Sequence, residues 1–139
     1  MDLGLKDRVC IVTGSTVGIG LATAKLLAAE GAKVVVSGRT AARVESAKAE
    51  SGAALGVACD LGAAGEPERL VAETVAALGR VDVLVNNVGY AEQRDFLAVT
   101  EAQWEESWQL NVMSYIRAVQ AAVPQMKAQG GGVVVNVSS

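Results

Sequence analysis

The fold of this chain is decided by the stretch Val9-Cys10-Ile11-Val12-Thr13-Gly14-Ser15-Thr16-Val17-Gly18-Ile19-Gly20. Its first part is apolar and β-branched, which favours a strand, and an alanine- and leucine-rich segment that favours a helix follows and ends at Gly31. The three glycines between them permit a tight turn and a close approach of the backbone to a phosphate at the helix N-terminus. The stretch therefore predicts a strand, a turn and a helix that bind a dinucleotide.

Length and composition bound the class of protein. The 139 residues, of which 51% are hydrophobic, predict one domain over residues 1–139 that buries about two-thirds of its unfolded surface. Mean hydropathy is +0.33, but charges interrupt every apolar stretch well before the ~18 residues that a membrane span needs. Residues 1–8 contain no apolar signal core. We therefore expect a cytoplasmic location and no membrane partner.

Charge and cysteine content exclude further classes. The formal net charge of −3, without a basic tract, argues against nucleic acid as a partner. Cys10 and Cys59 both lie in apolar, strand-like runs, and the chain has no histidine. We expect two small buried hydrophobic residues rather than a disulfide or a metal site.

Strand-like and helix-like segments alternate along the rest of the chain. Further strands are predicted at Lys33–Ser37, Leu55–Cys59, Val81–Val85 and Val133–Val137, and helices at Ala41–Ser51 and from Pro67 to Gly79. This alternation predicts an α/β fold with a doubly wound parallel sheet covered on both faces. Right-handed crossovers then give the strand order 3-2-1-4-5.

A long helix is predicted from about Trp104 to Gln129. Thr100 and Gln103 form a capping box ahead of it, and Pro124 is expected to kink or distort it. One apolar stripe runs along it: Trp104, Trp108, Val112, Ile116, Val119 and Val123.

The spacing Thr13-Gly14-x-x-x-Gly18-x-Gly20 resembles that of the short-chain dehydrogenase/reductase family, classical type, and the chain is similar to 3-oxoacyl-acyl-carrier-protein reductases along its length. The resemblance implies a Rossmann fold, a nicotinamide dinucleotide cofactor and a small carbonyl or alcohol substrate. It also implies that every residue of one segment contacts the cofactor: Gly14, Ser15, Thr16, Val17, Gly18, Ile19 and Gly20.

Two more segments match the family. Cys59-Asp60-Leu61 resembles the end of its third strand, where the aspartate accepts a hydrogen bond from the adenine amino group. Asp60 alone is equally typical of a turn cap. Asn86-Asn87-Val88-Gly89 is similar to the family's N-N-A-G element, in which Asn86 would brace the sheet and Asn87, Val88 and Gly89 would pass the adenosine ribose.

The residues after the second strand, Ser37-Gly38-Arg39-Thr40, bear on which dinucleotide binds. Gly38 stands where NAD-dependent members of the family carry aspartate, and the Arg39 guanidinium, with Thr40 beside it, is placed to meet a 2′-phosphate. NADP(H) is therefore preferred. NAD(H) stays possible, because Val17 stands where NADP-binding relatives often have a basic residue, and because Arg39 alone is also typical of a solvated loop.

Two residues resemble the family's catalytic groups. Asn111 is similar to the active-site asparagine whose helix distortion holds a water for proton relay, and Ser139, in Asn136-Val137-Ser138-Ser139, to the serine that orients the substrate carbonyl. A solvated mid-helix asparagine is the alternative for Asn111. The resemblance places a Tyr-x-x-x-Lys pair downstream of Ser139. Neither Tyr90, with Arg94 at that spacing, nor Tyr115, with Val119, is expected to replace it.

The sequence therefore predicts the cofactor-binding two-thirds of an oxidoreductase, truncated after strand five, whose edge is left exposed. One alternative is a dinucleotide-binding module without turnover, or one that is active only when a second chain completes it. A purely structural protein would leave the glycines and Arg39 unexplained. In the family the helix over 104–129 builds a dimer interface, so we expect a homo-oligomer through it.

Overall fold

The computed structural model describes residues 1–139 and contains one five-stranded parallel sheet in the order β3-β2-β1-β4-β5. This confirms the predicted doubly wound topology. The strands are β1 (Val9–Val12), β2 (Lys33–Gly38), β3 (Leu55–Ala58), β4 (Val83–Asn86) and β5 (Val133–Asn136). All five agree with the predicted strands to within two residues at each end, which is the usual uncertainty of strand and helix ends.

Five α-helices connect and cover the strands: α1 (Gly18–Ala29), α2 (Ala41–Ser51), α3 (Glu66–Leu78), α4 (Glu101–Trp108) and α5 (Ser114–Ala128). Gly52 and Gly79 follow α2 and α3 with φ of 74° and 82°, so both helices end in the left-handed conformation that glycine favours. A short 3₁₀ turn at Phe96–Ala98, which the sequence pattern did not predict, precedes α4.

The core consists of two apolar layers, one on each face of the sheet. Successive side chains of a strand point to opposite faces, so Val9 and Ile11 contribute to one layer and Cys10 and Val12 to the other. Helices α3 and α5 cover the first layer, and α1 and α2 cover the second. The central strands β1 and β2 are buried on both sides, which explains their near-continuous apolar runs in the sequence.

The helix predicted from about Trp104 to Gln129 is present and runs from Glu101 to Ala128, behind the expected Thr100–Gln103 capping box. A π-helical turn at Gln109–Met113 lies within it and separates α4 from α5. The interruption therefore falls around Asn111. Pro124 lies inside α5 without ending it.

The predicted apolar stripe of this helix is partly exposed, although its Val119 packs against the core. The buried residues of α5 are Ser114, Ala118, Ala122 and Met126. Trp104 and Trp108 are 55% and 52% exposed, and Ile116 is 42% exposed. Trp104, Trp108 and Ile116 thus face outward, while Ala118 and Ala122 let α5 lie close against the sheet.

Strand β5 is the last strand of the sheet, as predicted, and most of its residues are exposed. Val133 and Val135 keep 55% and 44% of their accessible surface, whereas Val134 packs against the core. No helix in the structure has the length and apolar character required to cross a membrane.

Candidate dinucleotide-binding site

The glycine-rich turn between β1 and α1 has little room for side chains at two of its glycines. Gly14 has a φ of 60°, and a Cβ added to it would lie 2.8 Å from the Cα of Val88. A Cβ on Gly20 would collide with the carbonyl oxygen of Gly14. These two glycines therefore let α1 and the segment after β4 close tightly around the turn.

Gly18 differs from them, because its surroundings are open. It has a φ of 59°, and no atom lies within 4 Å of the position that a Cβ would occupy. The side chain of Val17 before it accepts no amide of the helix, and the first turn of α1 contains no acidic residue. Helical hydrogen bonding begins only with the Leu21 amide, which donates to the Val17 carbonyl. The first amides of α1 therefore face open space with the positive end of the helix dipole, which is a site for an anion.

Ser15 is fully buried and joins the turn to β2. Its hydroxyl donates to the Val12 carbonyl at 2.6 Å and accepts the Ser37 amide at 2.9 Å, while its own amide donates to the Ser37 carbonyl at 3.0 Å. Its side chain thus holds the turn in shape from below. Val17 and Ile19 lie on the surface, with 63% and 68% of their accessible area exposed.

Thr13 connects the turn to the segment after β4, a role that the sequence analysis did not assign to it. Its hydroxyl oxygen accepts the amides of Asn87 and Val88, both at 2.9 Å, and Asn87 Nδ2 donates to the carbonyls of Thr13 and Gly14 at 3.1 and 3.2 Å. The Asn87–Gly89 segment is thereby fixed beside the glycine-rich turn. The signal was the polar residue directly after an apolar strand.

The residues after β2 lie at the same edge of the sheet. Arg39 and Thr40 are exposed, Arg39 forms no salt bridge, and the Thr40 side chain accepts no amide of α2. Gly38 is covered by Thr16, whose Cγ2 would lie 2.5 Å from a Cβ added to Gly38. The Arg39 guanidinium and the uncapped N-terminus of α2 therefore lie next to each other, directly after Gly38. A side chain at Gly38 itself would collide with Thr16.

Asp60 lies just beyond the end of β3. Its neighbours Cys59 and Leu61 are both 4% exposed, so the turn directs Asp60 outward between two buried residues. Asp60 Oδ1 accepts the Gly62 amide at 3.1 Å. The turn-cap interaction considered for Asp60 is therefore present, and one carboxylate oxygen is engaged in it.

Asn111 lies in the π-helical turn and holds the chain after β4. Its Oδ1 accepts the Tyr90 amide and its Nδ2 donates to the Tyr90 carbonyl, both at 3.0 Å, while Nδ2 also donates to Ser107 Oγ at 3.1 Å. A Cβ on Gly89 would approach Asn111 Oδ1 to 3.1 Å. The Asn111 side chain is thus fully used in positioning this segment.

The end of β5 is tied to the sheet and to α5. Asn86 Nδ2 donates to Asn136 Oδ1 at 3.1 Å, which supports the expected bracing role of Asn86, and Tyr115 donates its hydroxyl to the Val137 carbonyl at 3.0 Å. These contacts direct the exposed Ser139 beyond the carboxyl end of β5.

The remaining ionisable groups offer no obvious proton donor. Burial raises the pKa of both Cys10 and Cys59 to about 11, so the two cysteines are the buried hydrophobic residues expected. Burial also raises the pKa of Tyr115. The Tyr90 hydroxyl donates to Glu92 Oε2 at 3.4 Å.

Comparison with known proteins agrees with this geometry. The family model described as short chain dehydrogenase matches residues 8–139. The uncharacterized oxidoreductase YvrD of Bacillus subtilis is 39% identical over 142 residues, which cover 100% of this chain and 54% of that protein. The chain belongs to the short-chain dehydrogenase/reductase family, whose members are oxidoreductases that bind NAD(P)(H).

Two solved structures are similar to the chain as well. The L-sorbose reductase of Gluconobacter frateurii, complexed with NADPH and L-sorbose, superposes with a TM-score of 0.92 at 33% identity, over 98% of this chain and 54% of that one. A 7α-hydroxysteroid dehydrogenase complexed with NADH gives 0.91 at 32% identity, over 97% and 54%. The chain thus spans about half the length of its relatives, not the two-thirds expected from the motifs.

Proposed function

We propose that this chain binds NADP(H) along the carboxyl edge of its sheet and contributes the cofactor half of a carbonyl reductase or alcohol dehydrogenase. The observation that carries the proposal is the open, uncapped N-terminus of α1 beside Gly18. The residues present fit a dinucleotide: the α1 amides suit its pyrophosphate, Asp60 and Leu61 its adenine, and Asn87, Val88 and Gly89 its ribose.

The bound cofactor would supply a hydride for a carbonyl carbon, or accept one from an alcohol. Ser139 would orient the substrate oxygen from the end of β5. Asn111 would act through the Tyr90 backbone, because its side-chain amide already has partners on both sides. Membership of the family supports a small-molecule substrate of this kind.

The preference for NADP(H) rests on the residues after β2. The Arg39 guanidinium has no acidic partner, and the N-terminus of α2 next to it has no side-chain cap, so both favour a 2′-phosphate. Gly38 lacks the carboxylate that would accept the 2′-hydroxyl of NAD(H) and repel a phosphate.

Calorimetric titration of the chain with NADPH and NADH tests this preference. We expect NADPH to bind more tightly, and Arg39→Gln to weaken NADPH alone by about 10- to 100-fold, since a charge-assisted hydrogen bond contributes about 1.5–3 kcal/mol. Arg43→Gln, which removes an exposed arginine from α2, is the matched control. Equal affinity of the unmodified chain for the two cofactors would contradict the proposal.

An engineered shift toward NAD(H) needs two positions besides Arg39. Gly38→Asp alone would push its Cβ against Thr16 Cγ2. We expect Gly38→Asp with Thr16→Ser and Arg39→Gln to accept NADH better than Gly38→Asp with Arg39→Gln, because serine lacks that methyl group. Titration of both variants measures the difference, and equal NADH affinity would remove the role assigned to Thr16.

A second candidate is a dinucleotide-binding module without turnover, or one that is completed by another chain. It is favoured by the absence of a Tyr-x-x-x-Lys pair among these 139 residues. Cofactor binding does not distinguish it from the first candidate, whereas turnover does.

We also infer that the chain self-associates through the outer face of residues 104–129. The exposed Trp104, Trp108 and Ile116 support this, since they are large apolar side chains on one outer strip of α4 and α5.

Sedimentation velocity tests the self-association. We expect the unmodified chain to sediment as a dimer or larger and Trp108→Glu to shift it toward monomer, because a carboxylate would be buried in the interface. Leu26→Glu is the control, since Leu26 is 70% exposed on α1, away from this strip. A monomer at every concentration would count against the interface.

A further inference from the structure

Two charged residues of α3, Glu66 and Arg69, have contacts beyond their own helix. Glu66, Arg69 and Glu73 are spaced as ordinary (i, i+3) and (i, i+4) ion pairs, which on a solvated face contribute little to stability. The Arg69 guanidinium, however, also donates through Nη2 to the Ala58 carbonyl at 2.7 Å. Ala58 is the last residue of β3, so Arg69 joins α3 to the end of that strand.

Glu66 makes a second connection to the same turn. Its Oε2 accepts the Asp60 amide at 3.3 Å, and its two oxygens accept Arg69 Nε and Nη2 at 2.9 and 2.8 Å. The hydrogen bonds from Arg69 hold the pKa of Glu66 below its usual range, so Glu66 is an acceptor at neutral pH. Arg69 therefore orients the carboxylate that in turn holds the Asp60 backbone.

The geometry points to Arg69 and Glu66 as positioning residues that fix Asp60 for the amino group of the adenine ring, an inference that rests on the proposed dinucleotide site. The turn needs such support because β3 is the outermost strand and Asp60 is exposed, with glycines at positions 62 and 65 after it. One side of the turn is anchored by the buried Cys59 and Leu61. The other side is anchored by α3 through these two residues.

A guanidinium suits this position better than an ammonium group. Arg69 reaches Ala58, Glu66 and Glu73 at once through three nitrogens, whereas lysine has a single nitrogen on a flexible stem. Glu73 accepts Nη1 at 2.8 Å on the side away from the turn and contacts neither Ala58 nor Asp60. Substitution of Glu73 is therefore the matched control, because it removes an ion pair of Arg69 without removing a contact to the turn.

The test compares two cofactors that differ at the six-membered edge of the purine. Reduced nicotinamide hypoxanthine dinucleotide phosphate has a carbonyl oxygen in place of the adenine amino group, which would face the Asp60 carboxylate as a second acceptor, and a proton on the adjacent N1. Both dinucleotides carry the same charge, so a variant that changes the field around the phosphates alters both affinities and leaves their ratio unchanged. The ratio thus reports the position of Asp60 and not a general loss of structure.

We expect the unmodified chain to bind NADPH about tenfold more tightly than the hypoxanthine analogue, which is the effect of one partly solvated charge-assisted hydrogen bond. Arg69→Gln and Glu66→Gln should each lower this ratio to about twofold or less, while Glu73→Gln retains it. Arg69→Lys keeps the charge if Arg69→Gln fails to fold, and it too should lose the discrimination.

Discrimination that survives in the Arg69 and Glu66 variants would overturn the inference, and so would an equal loss in Glu73→Gln. Equal affinity of the unmodified chain for the two dinucleotides would contradict the proposed contact between Asp60 and adenine, and therefore the inference as well. A chain that binds neither would overturn the proposed function itself.

Discussion

Gly18→Val is expected to abolish NADPH binding by this chain while leaving it folded. The Gly18 position is open, so the valine side chain meets no protein atom but fills the space that the pyrophosphate would occupy. Loss of two charge-assisted hydrogen bonds from the α1 amides amounts to about 3–6 kcal/mol, which is a decrease in affinity of at least about 100-fold. Calorimetric titration with NADPH measures it, and circular dichroism checks the fold.

The control for this substitution is Gly79→Val. Gly79, after α3, also has a positive φ of 82° and no atom within 4 Å of a Cβ position, so valine there introduces comparable backbone strain without approaching the proposed site. We expect Gly79→Val to lower the melting temperature and to bind NADPH normally. If Gly18→Val bound NADPH as tightly as Gly79→Val does, the pyrophosphate would not lie at this turn.

The other two glycines are unsuitable for the same experiment. Gly14 lies against the Val88 backbone and Gly20 against the Gly14 carbonyl, so a larger residue at either position would disturb packing before it disturbed a ligand. The three glycines of one motif thus differ in physical role. Only the structure distinguishes the open one from the two packed ones.

The topology could be predicted from the sequence because apolar, β-branched runs and helix caps are local signals. Gly52 and Gly79 mark helix ends through their own conformation, and Thr100 with Gln103 marks a helix start through two hydrogen bonds. The periodicity of α4 and α5 showed which residues share a side, and the structure adds that Trp104, Trp108 and Ile116 of that stripe are exposed.

The candidate site was located from motifs, but its internal contacts were not. Asn87 and Val88 lie 74 and 75 residues after Thr13 in the chain. The hydrogen bonds that join them to Thr13 cannot be predicted from a local sequence pattern. The same holds for the hydrogen bond from Arg69 to the Ala58 carbonyl. The spacing of Arg69 from Glu66 and Glu73 along α3 indicates only surface ion pairs. The burial of Ser15 likewise depends on β2, which packs beneath the turn.

The 139-residue chain is expected to bind NADPH and yet to reduce no ketone at a useful rate. Its two tyrosines are poor proton donors: Tyr115 donates to the Val137 carbonyl with a pKa raised by burial, and Tyr90 donates to the Glu92 carboxylate. Neither has a lysine four residues later. A positioned general acid contributes about 10²–10⁴-fold to such a reaction, and that factor is missing here.

The decay of NADPH absorbance against a panel of ketones and 3-oxoacyl thioesters measures this, with Tyr90→Phe, Tyr115→Phe and Ser139→Ala as comparison variants. The Asn111 amide is hydrogen-bonded to Tyr90 and Ser107, and the Ser139 hydroxyl can orient an oxygen but is an ineffective general acid at neutral pH. These residues can therefore orient a substrate oxygen, but none of them is an effective general acid for it. Steady turnover that disappears in one of the three variants would identify a proton donor within these residues, and it would favour the reductase over the binding module.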